Sequence, residues 1–147
     1  MPDATVKHQA AGIGRRVLSM LYEALVVLAL SLFAGFIYHI IPVDRFTGES
    51  RRVFQLYLFL ILGAYFIACW TRGGRTLPMQ TWRIRVIDKN GNSVGVARAL
   101  LRYVLAWPSF ALLGGGLLWA FVDRDHQFLH DRLAGTRIVL TKGPRPD

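Results

Sequence analysis

This 147-residue chain has one cysteine and only nine acidic residues against eighteen basic ones, a net charge of +9. The lone Cys69 rules out an intramolecular disulfide, and its place in an apolar stretch makes packing its natural role. No nucleophile elbow, phosphate loop or Cys-x-x-Cys pair is present, so no enzyme is expected and no cofactor is assigned. Nor does the basic excess form one soluble face. Lys and Arg lie beside apolar stretches, which points to anionic lipid and away from nucleic acid as the partner.

What the chain has in abundance is apolar sequence, 53% of residues, gathered into three blocks: Val17–Ile41, Val53–Trp70 and Tyr103–Val122. Each is near or above the length that spans a bilayer as helix, and Tyr38, Trp70, Tyr103, Trp119 and Phe121 stand at or near their edges, where amphipathic rings favour the headgroup zone. The first block is too long for a signal peptide core of about 7–15 residues and no small-x-small site follows it, so it is expected to stay in the mature protein. The chain reads as a single membrane domain over 1–147. Its three blocks are separated by a loop (Pro42–Arg52) and a polar segment (71–102), and a tail (123–147) follows.

The basic residues set orientation. The N-terminal flank, the segment 71–102 and the tail carry three, seven and five Lys or Arg, and the loop Pro42–Arg52 carries three. Placing the first three on the inside gives fifteen against three, which the positive-inside rule favours. Both termini are then cytoplasmic and the third block does not cross once. Pro108 and Gly114-Gly115-Gly116 suit a break there, so this block is either a re-entrant hairpin or a kinked span.

The polar segment alternates apolar and basic residues over Trp82–Val86, and Asp88-Lys89-Asn90-Gly91 is a turn signal, so a strand and hairpin are expected. Then Val96, Leu100, Leu101 and Val104 recur at helical spacing, with Arg98 and Arg102 on the other face; this predicts an interfacial helix whose arginines meet lipid phosphates. In the tail a short helix runs to a Gly135 cap and Arg137–Leu140 reads as a strand, able to pair with Trp82–Ile87 if both lie on one side. The expected fold is therefore a membrane all-α one with a small cytoplasmic β element: two transmembrane helices, a third kinked or re-entrant segment and an interfacial amphipathic helix.

Glu23 is the only acidic residue in any of the three blocks. A carboxylate there costs roughly 2.5–3.5 kcal/mol on insertion scales and marks a candidate site. His39, sixteen residues on, lies near the other membrane face and cannot share a proton path with Glu23 on that helix alone. His126 and His130 have the i, i+4 spacing that suits a metal, but without a third ligand no metal site is assigned.

Arg16 at the mouth of the first helix, an acid seven positions later, and Leu129-His130-Asp131-Arg132-Leu133-Ala134-Gly135-Thr136-Arg137 together resemble the RDD family of small bacterial membrane proteins. That family is named for one arginine and two aspartates. Arg16 and Asp131 match the arginine and the second aspartate, while Glu23 stands at the first-aspartate position. The stretch Thr76–Asp88 is similar too, and the resemblance runs from about Gly12 to Val139. It implies a multi-pass protein of the bacterial inner membrane, with transport of an unknown ligand, or sodium/proton antiport in some members, as the family's proposed activity.

Two readings of the charged residues follow. In one, Arg16 is an inside-positive anchor and Glu23 a packed residue bonded to a neighbouring helix. In the other, Arg16 latches to Asp131 and holds Glu23 as a protonatable group at a helix interface; His130 of the tail motif is a further functional candidate. Three apolar blocks enclose too few helices for a path, so a transporter would need oligomers. An accessory or assembly subunit needs only packing surfaces such as Ala64–Ala68 and Gly114–Gly116, and a homo-oligomer or a larger membrane partner is the preferred expectation.

Overall fold

The structure, a computed structural model, describes residues 11–41, 48–111, 115–122 and 128–141. Two long helices dominate it: α1 (Ile13–Ile40, 28 residues) and α2 (Gly48–Arg72, 25 residues). At 1.5 Å per residue they measure about 42 and 37 Å, enough to cross a hydrocarbon core of about 30 Å. Both are apolar along their length and bury little of their surface within the chain; Leu21, Leu25, Leu28, Leu32 and Phe36 of α1 all stand exposed. Such surface in a chain with two candidate spans is a face for lipid. Most of the segment Pro42–Arg52, expected as an external loop, lies outside the described residues.

The two helices run antiparallel, and everything after α2 gathers at the end where α1 begins and α2 finishes. Helix α3 (Leu77–Thr81) leads into strand β1 (Ile84–Asp88), then come α4 (Val96–Ala111), α5 (Gly115–Val122), α6 (Leu129–Leu133) and β2 (Thr136–Leu140). The strands pair antiparallel, with Ile84 opposite Leu140 and Asp88 opposite Thr136. The expected local hairpin after Asp88 is replaced by this long-range ladder. The turn itself forms, because Asp88 Oδ1 accepts the N–H groups of Asn90 and Asn92, both at 2.8 Å. Those N–H groups hold the Asp88 carboxyl below its ordinary range, that of Asn92 most strongly, with Arg98 assisting.

Gly74 fixes how the sheet meets α2. Its φ of +66° ends the helix in a left-handed turn, its carbonyl accepts the Val86 N–H at 2.6 Å, and an added Cβ would lie 2.6 Å from the Val86 carbonyl oxygen. The N-terminal flank joins the same assembly, since the Ala11 N–H donates to the Ile138 carbonyl. Flank, polar segment and tail therefore share one end of the helical hairpin. In the third apolar block α4 passes through Pro108 to Ala111, and α5 covers Gly115–Val122. The proline does not end the helix; residues 112–114, with Gly114, and the run 123–127, with its His126, lie outside the described residues.

Helix α4 is two-faced as expected, but its Arg102 turns inward instead of toward lipid phosphates. Val96, Leu100, Leu101 and Val104 are the exposed face, while Ala99, Arg102, Tyr103 and Ser109 are buried. The physical reason is the solvent: where lipid replaces water outside, the apolar stripe turns outward and the polar side chains find partners inside. Tyr103 packs where Gly63 of α2 has no side chain, 3.0 Å from the position of its absent Cβ, and donates its hydroxyl to the Phe59 carbonyl at 2.8 Å. This close approach is where a small residue acts within the chain.

Candidate functional site

At the gathered end two arginines are almost completely buried, Arg16 at 1% and Arg102 at 3% exposure, beside an Asp131 with none. A charge so removed from water survives only if its partners are built in. Arg102 has three. Its guanidinium forms an ion pair with Asp131 Oδ1, donates to Thr136 Oγ1 at 3.1 Å, and lies over the Trp70 ring with its carbon 4.7 Å from the centroid. Thr136 in turn donates to the Asp131 carbonyl at 3.2 Å, tying the start of β2 to α6. His130 Nε2 stands 3.4 Å from the same Asp131 oxygen. Burial pulls the His130 imidazole below its ordinary value near 6.5, against the support of Asp131.

Arg16 is held otherwise. It donates to the Ile138 carbonyl at 3.1 Å and sits 6.0 Å from the Phe128 ring centroid. The expected Arg16–Asp131 latch is thus not the pair that forms: Asp131 goes to Arg102, and Arg16 goes to the backbone of β2. The reason lies in the rotation of α4. Once its apolar face turns outward, Arg102 enters the interior and reaches the tail carboxylate first. The same rotation removes Arg102 from lipid phosphates. Arg98, on the outer part of the helix and half exposed, pairs with Asp88 at 3.0 Å.

Glu23 lies about two helical turns deeper along α1 than Arg16, half-buried. Its two oxygens accept from the hydroxyls of Thr76 at 2.5 Å and Tyr65 at 3.3 Å. The carboxyl is therefore bonded to neighbouring segments, the loop before α3 and the helix α2. His39 bonds within its own helix, to the Gly35 carbonyl at 2.8 Å, at the opposite end of α1. Among the described residues no group of three or more His, Cys, Asp or Glu is placed to hold a metal.

These groups surround a cavity of about 390 Å³ between α1 and α4, with α2 as its floor. Arg16, Glu23, Arg102 and His130 all contribute to its wall, so four of the six residues singled out in the sequence meet there, and Asp131 stands directly behind Arg102. Most of the remaining wall is apolar or aromatic: Val27, Leu62, Phe66, Trp70, Tyr103 and Trp107. Trp70 stands out in the sequence only as a block-edge aromatic. Thr76 lay within the Thr76–Asp88 stretch without a role, and its hydroxyl, fully buried, is the one that meets Glu23.

Two apolar helices long enough to span, closed at one end by a buried ionic network, define a small membrane protein. The RDD family pattern matches residues 10–135, and the chain belongs to the RDD family. It is also similar to an uncharacterized protein of Rickettsia prowazekii (strain Madrid E), 29% identical over 80 residues that make up 54% of this chain and 44% of that protein. The alignment spans less than half of that relative's length. No solved structure matches.

Proposed function

We propose that this protein is a non-enzymatic accessory subunit of the bacterial inner membrane, working as a homo-oligomer or beside a larger membrane partner, and that its own contribution is to hold a ligand in the cavity beneath the charge network. The single observation that carries the reading is the convergence of Arg16, Glu23, Arg102 and His130 on one largely apolar cavity. Buried ionisable groups within a membrane protein are costly and gather where a site requires them. The topology proposed with it has two crossings and the gathered end in the cytoplasm. Exposed Arg15, Arg72, Arg75, Arg83 and Arg137 at that end suit contact with anionic lipid.

A second reading, an oligomeric transporter or proton antiporter using Glu23, is favoured by one observation: the carboxyl lines the cavity and is held by two hydroxyls that can accept as well as donate. Purification in mild detergent with mass determination tests the accessory reading. A homo-oligomer or a co-purifying larger membrane protein is expected, and a monomer without companion overturns it. A single cysteine placed near residue 143 should resist labelling from outside intact cells; labelling there would reject the topology.

A further inference from the structure

The cavity has a direction. Its inner end is formed by fully enclosed side chains, among them Arg16, Trp70, Arg102 and Phe128, whereas at its outer end Ala24 and Trp107 are exposed and Val27 and Ala106 half-buried. From Arg16 to Val27 helical rise gives a length of about 16 Å. Helix α1 packs on α2 and α3, and α4 packs on α2, α5 and α6, so the mouth opens sideways between α1 and α4. It opens at the level of α1 whose outer residues Leu21, Leu25 and Leu28 face away from the protein. A ligand entering there comes from the apolar layer of the membrane.

Three features define that ligand. First, among the described residues the charges at the cavity come in equal numbers, Arg16 and Arg102 with Glu23 and Asp131, so an uncharged ligand leaves that balance undisturbed while an added ion would upset it in a low-dielectric site. Second, the side-chain N–H of Trp70 (5% exposed) and the Nε–H of Arg102 (3% exposed) meet no acceptor among the described residues, although both residues line the cavity. Buried donors of this kind are costly until an acceptor arrives. Third, Phe66, Trp70, Tyr103, Trp107 and Phe128 supply aromatic faces around the space. Flat rings stack on such faces.

We infer that the cavity binds an uncharged lipid with a flat, acceptor-bearing ring and a single apolar tail, the chemistry of a prenylated quinone, its ring oxygen against Trp70 and Arg102 and its tail leaving between α1 and α4. The inference rests on the proposal that the cavity holds a ligand and adds its chemical class; binding alone is assigned, with no electron transfer.

Titration of the full chain in mild detergent with decylubiquinone, read by quenching of tryptophan fluorescence, tests it, since Trp70 and Trp107 line the cavity. Saturable quenching is expected. Ala106→Phe, or Ala24→Phe at the mouth should the first variant fail to fold, fills the space and should weaken binding tenfold or more, on the order of the 1.4 kcal/mol that one aromatic obstruction readily exceeds. Trp70→Phe keeps the ring under Arg102, removes one donor and should weaken binding roughly two- to tenfold. Quenching that does not saturate, or is unchanged when the cavity is filled, is partition into the micelle and rejects the quinone. Oleate displacing the quinone at equal concentration would show that an anionic head is accepted, overturning the ligand class while leaving the ligand-holding cavity intact. If neither probe binds and the cavity-filling variant keeps full cellular function, the cavity reading itself falls.

Discussion

The two ends of the α1–α2 hairpin are fastened by opposite kinds of chemistry. At the far end Tyr38 meets Phe54 and Tyr57 with ring centroids 4.9 and 5.6 Å away, and its hydroxyl donates to the Ser50 carbonyl at 3.3 Å. At the gathered end α1, α2, α4, α6 and β2 converge on Arg16, Arg102, Asp131 and Glu23. Aromatic contacts are additive and tolerant; losing one leaves the others in place. Buried charges are conditional, because each is stable only while its partner remains. The far end can therefore drift without loss of fold, whereas the gathered end is built around specific atoms, as a site must be.

The largest effects should come from breaking the network. Asp131→Ala or Arg102→Ala leaves an uncompensated buried charge and should cost about 3–5 kcal/mol in denaturant-titrated unfolding in micelles. Arg102→Lys should recover little of this, since an ammonium cannot stack on Trp70 and reach Asp131 and Thr136 together. Reversing Arg16 and Asp131 together should not restore the loss from either alone, because Asp131 is coupled to Arg102; restoration would reinstate the latch and undo the pairing described above.

Gly74→Ala comes next. It forces a side chain into a left-handed turn and against the Val86 carbonyl, and a cost of about 1–3 kcal/mol from the backbone alone is expected, with loosening of the two-stranded sheet in amide exchange. Glu23→Ala should cost a similar ~1–3 kcal/mol, because the enclosed Thr76 hydroxyl loses its acceptor. Glu23→Gln keeps the shape and a bonding group and should stay within about 1 kcal/mol of wild type. If that glutamine variant is stable yet inactive in a cellular assay, the transporter reading gains over the accessory one. At the far end Tyr38→Phe removes one hydrogen bond and should cost only about 0.5–1.5 kcal/mol. A loss there equal to that of Asp131→Ala would erase the contrast between the two ends.

The subtlest test is pH. His130 has a folded-state pKa below its ordinary value near 6.5, so on acidification the unfolded chain takes up a proton before the folded one does. The histidine's contribution is intact above that value and is lost as pH falls below it, through the depressed folded pKa. His130→Asn should flatten this part of the stability profile; an unchanged slope would show that the imidazole is solvated.

How much was legible in advance differs from residue to residue. Glu23 announced itself as the single acid in an apolar run, and its need for hydrogen-bond partners followed from that position. Arg16 at the mouth of the first helix, and His130 and Asp131 in the tail motif, were legible through the likeness to the family. Arg102 was singled out for its i, i+4 relation to Arg98 and given the wrong surroundings. The pattern of Val96, Leu100, Leu101 and Val104 shows a two-faced helix, but spacing does not say which face turns inward, and the rule learned from water reverses in lipid. The partnership of Trp82–Ile87 with Arg137–Leu140 was readable as a possibility; the choice between it and a local hairpin was not.

Length and hydropathy of the blocks and the solitary acid were determined by the sequence itself, because each depends on neighbouring residues and on the cost of leaving polar groups in an apolar medium. Only the tertiary structure decided that Asp131 pairs with Arg102 while Arg16 takes a backbone carbonyl, and that Thr76 and Tyr65 hold Glu23. Those choices depend on how α4 rotates and where β2 lands, distances set across more than a hundred residues of chain between Arg16 and Ile138, and no local pattern encodes which of two buried cations reaches a carboxylate first.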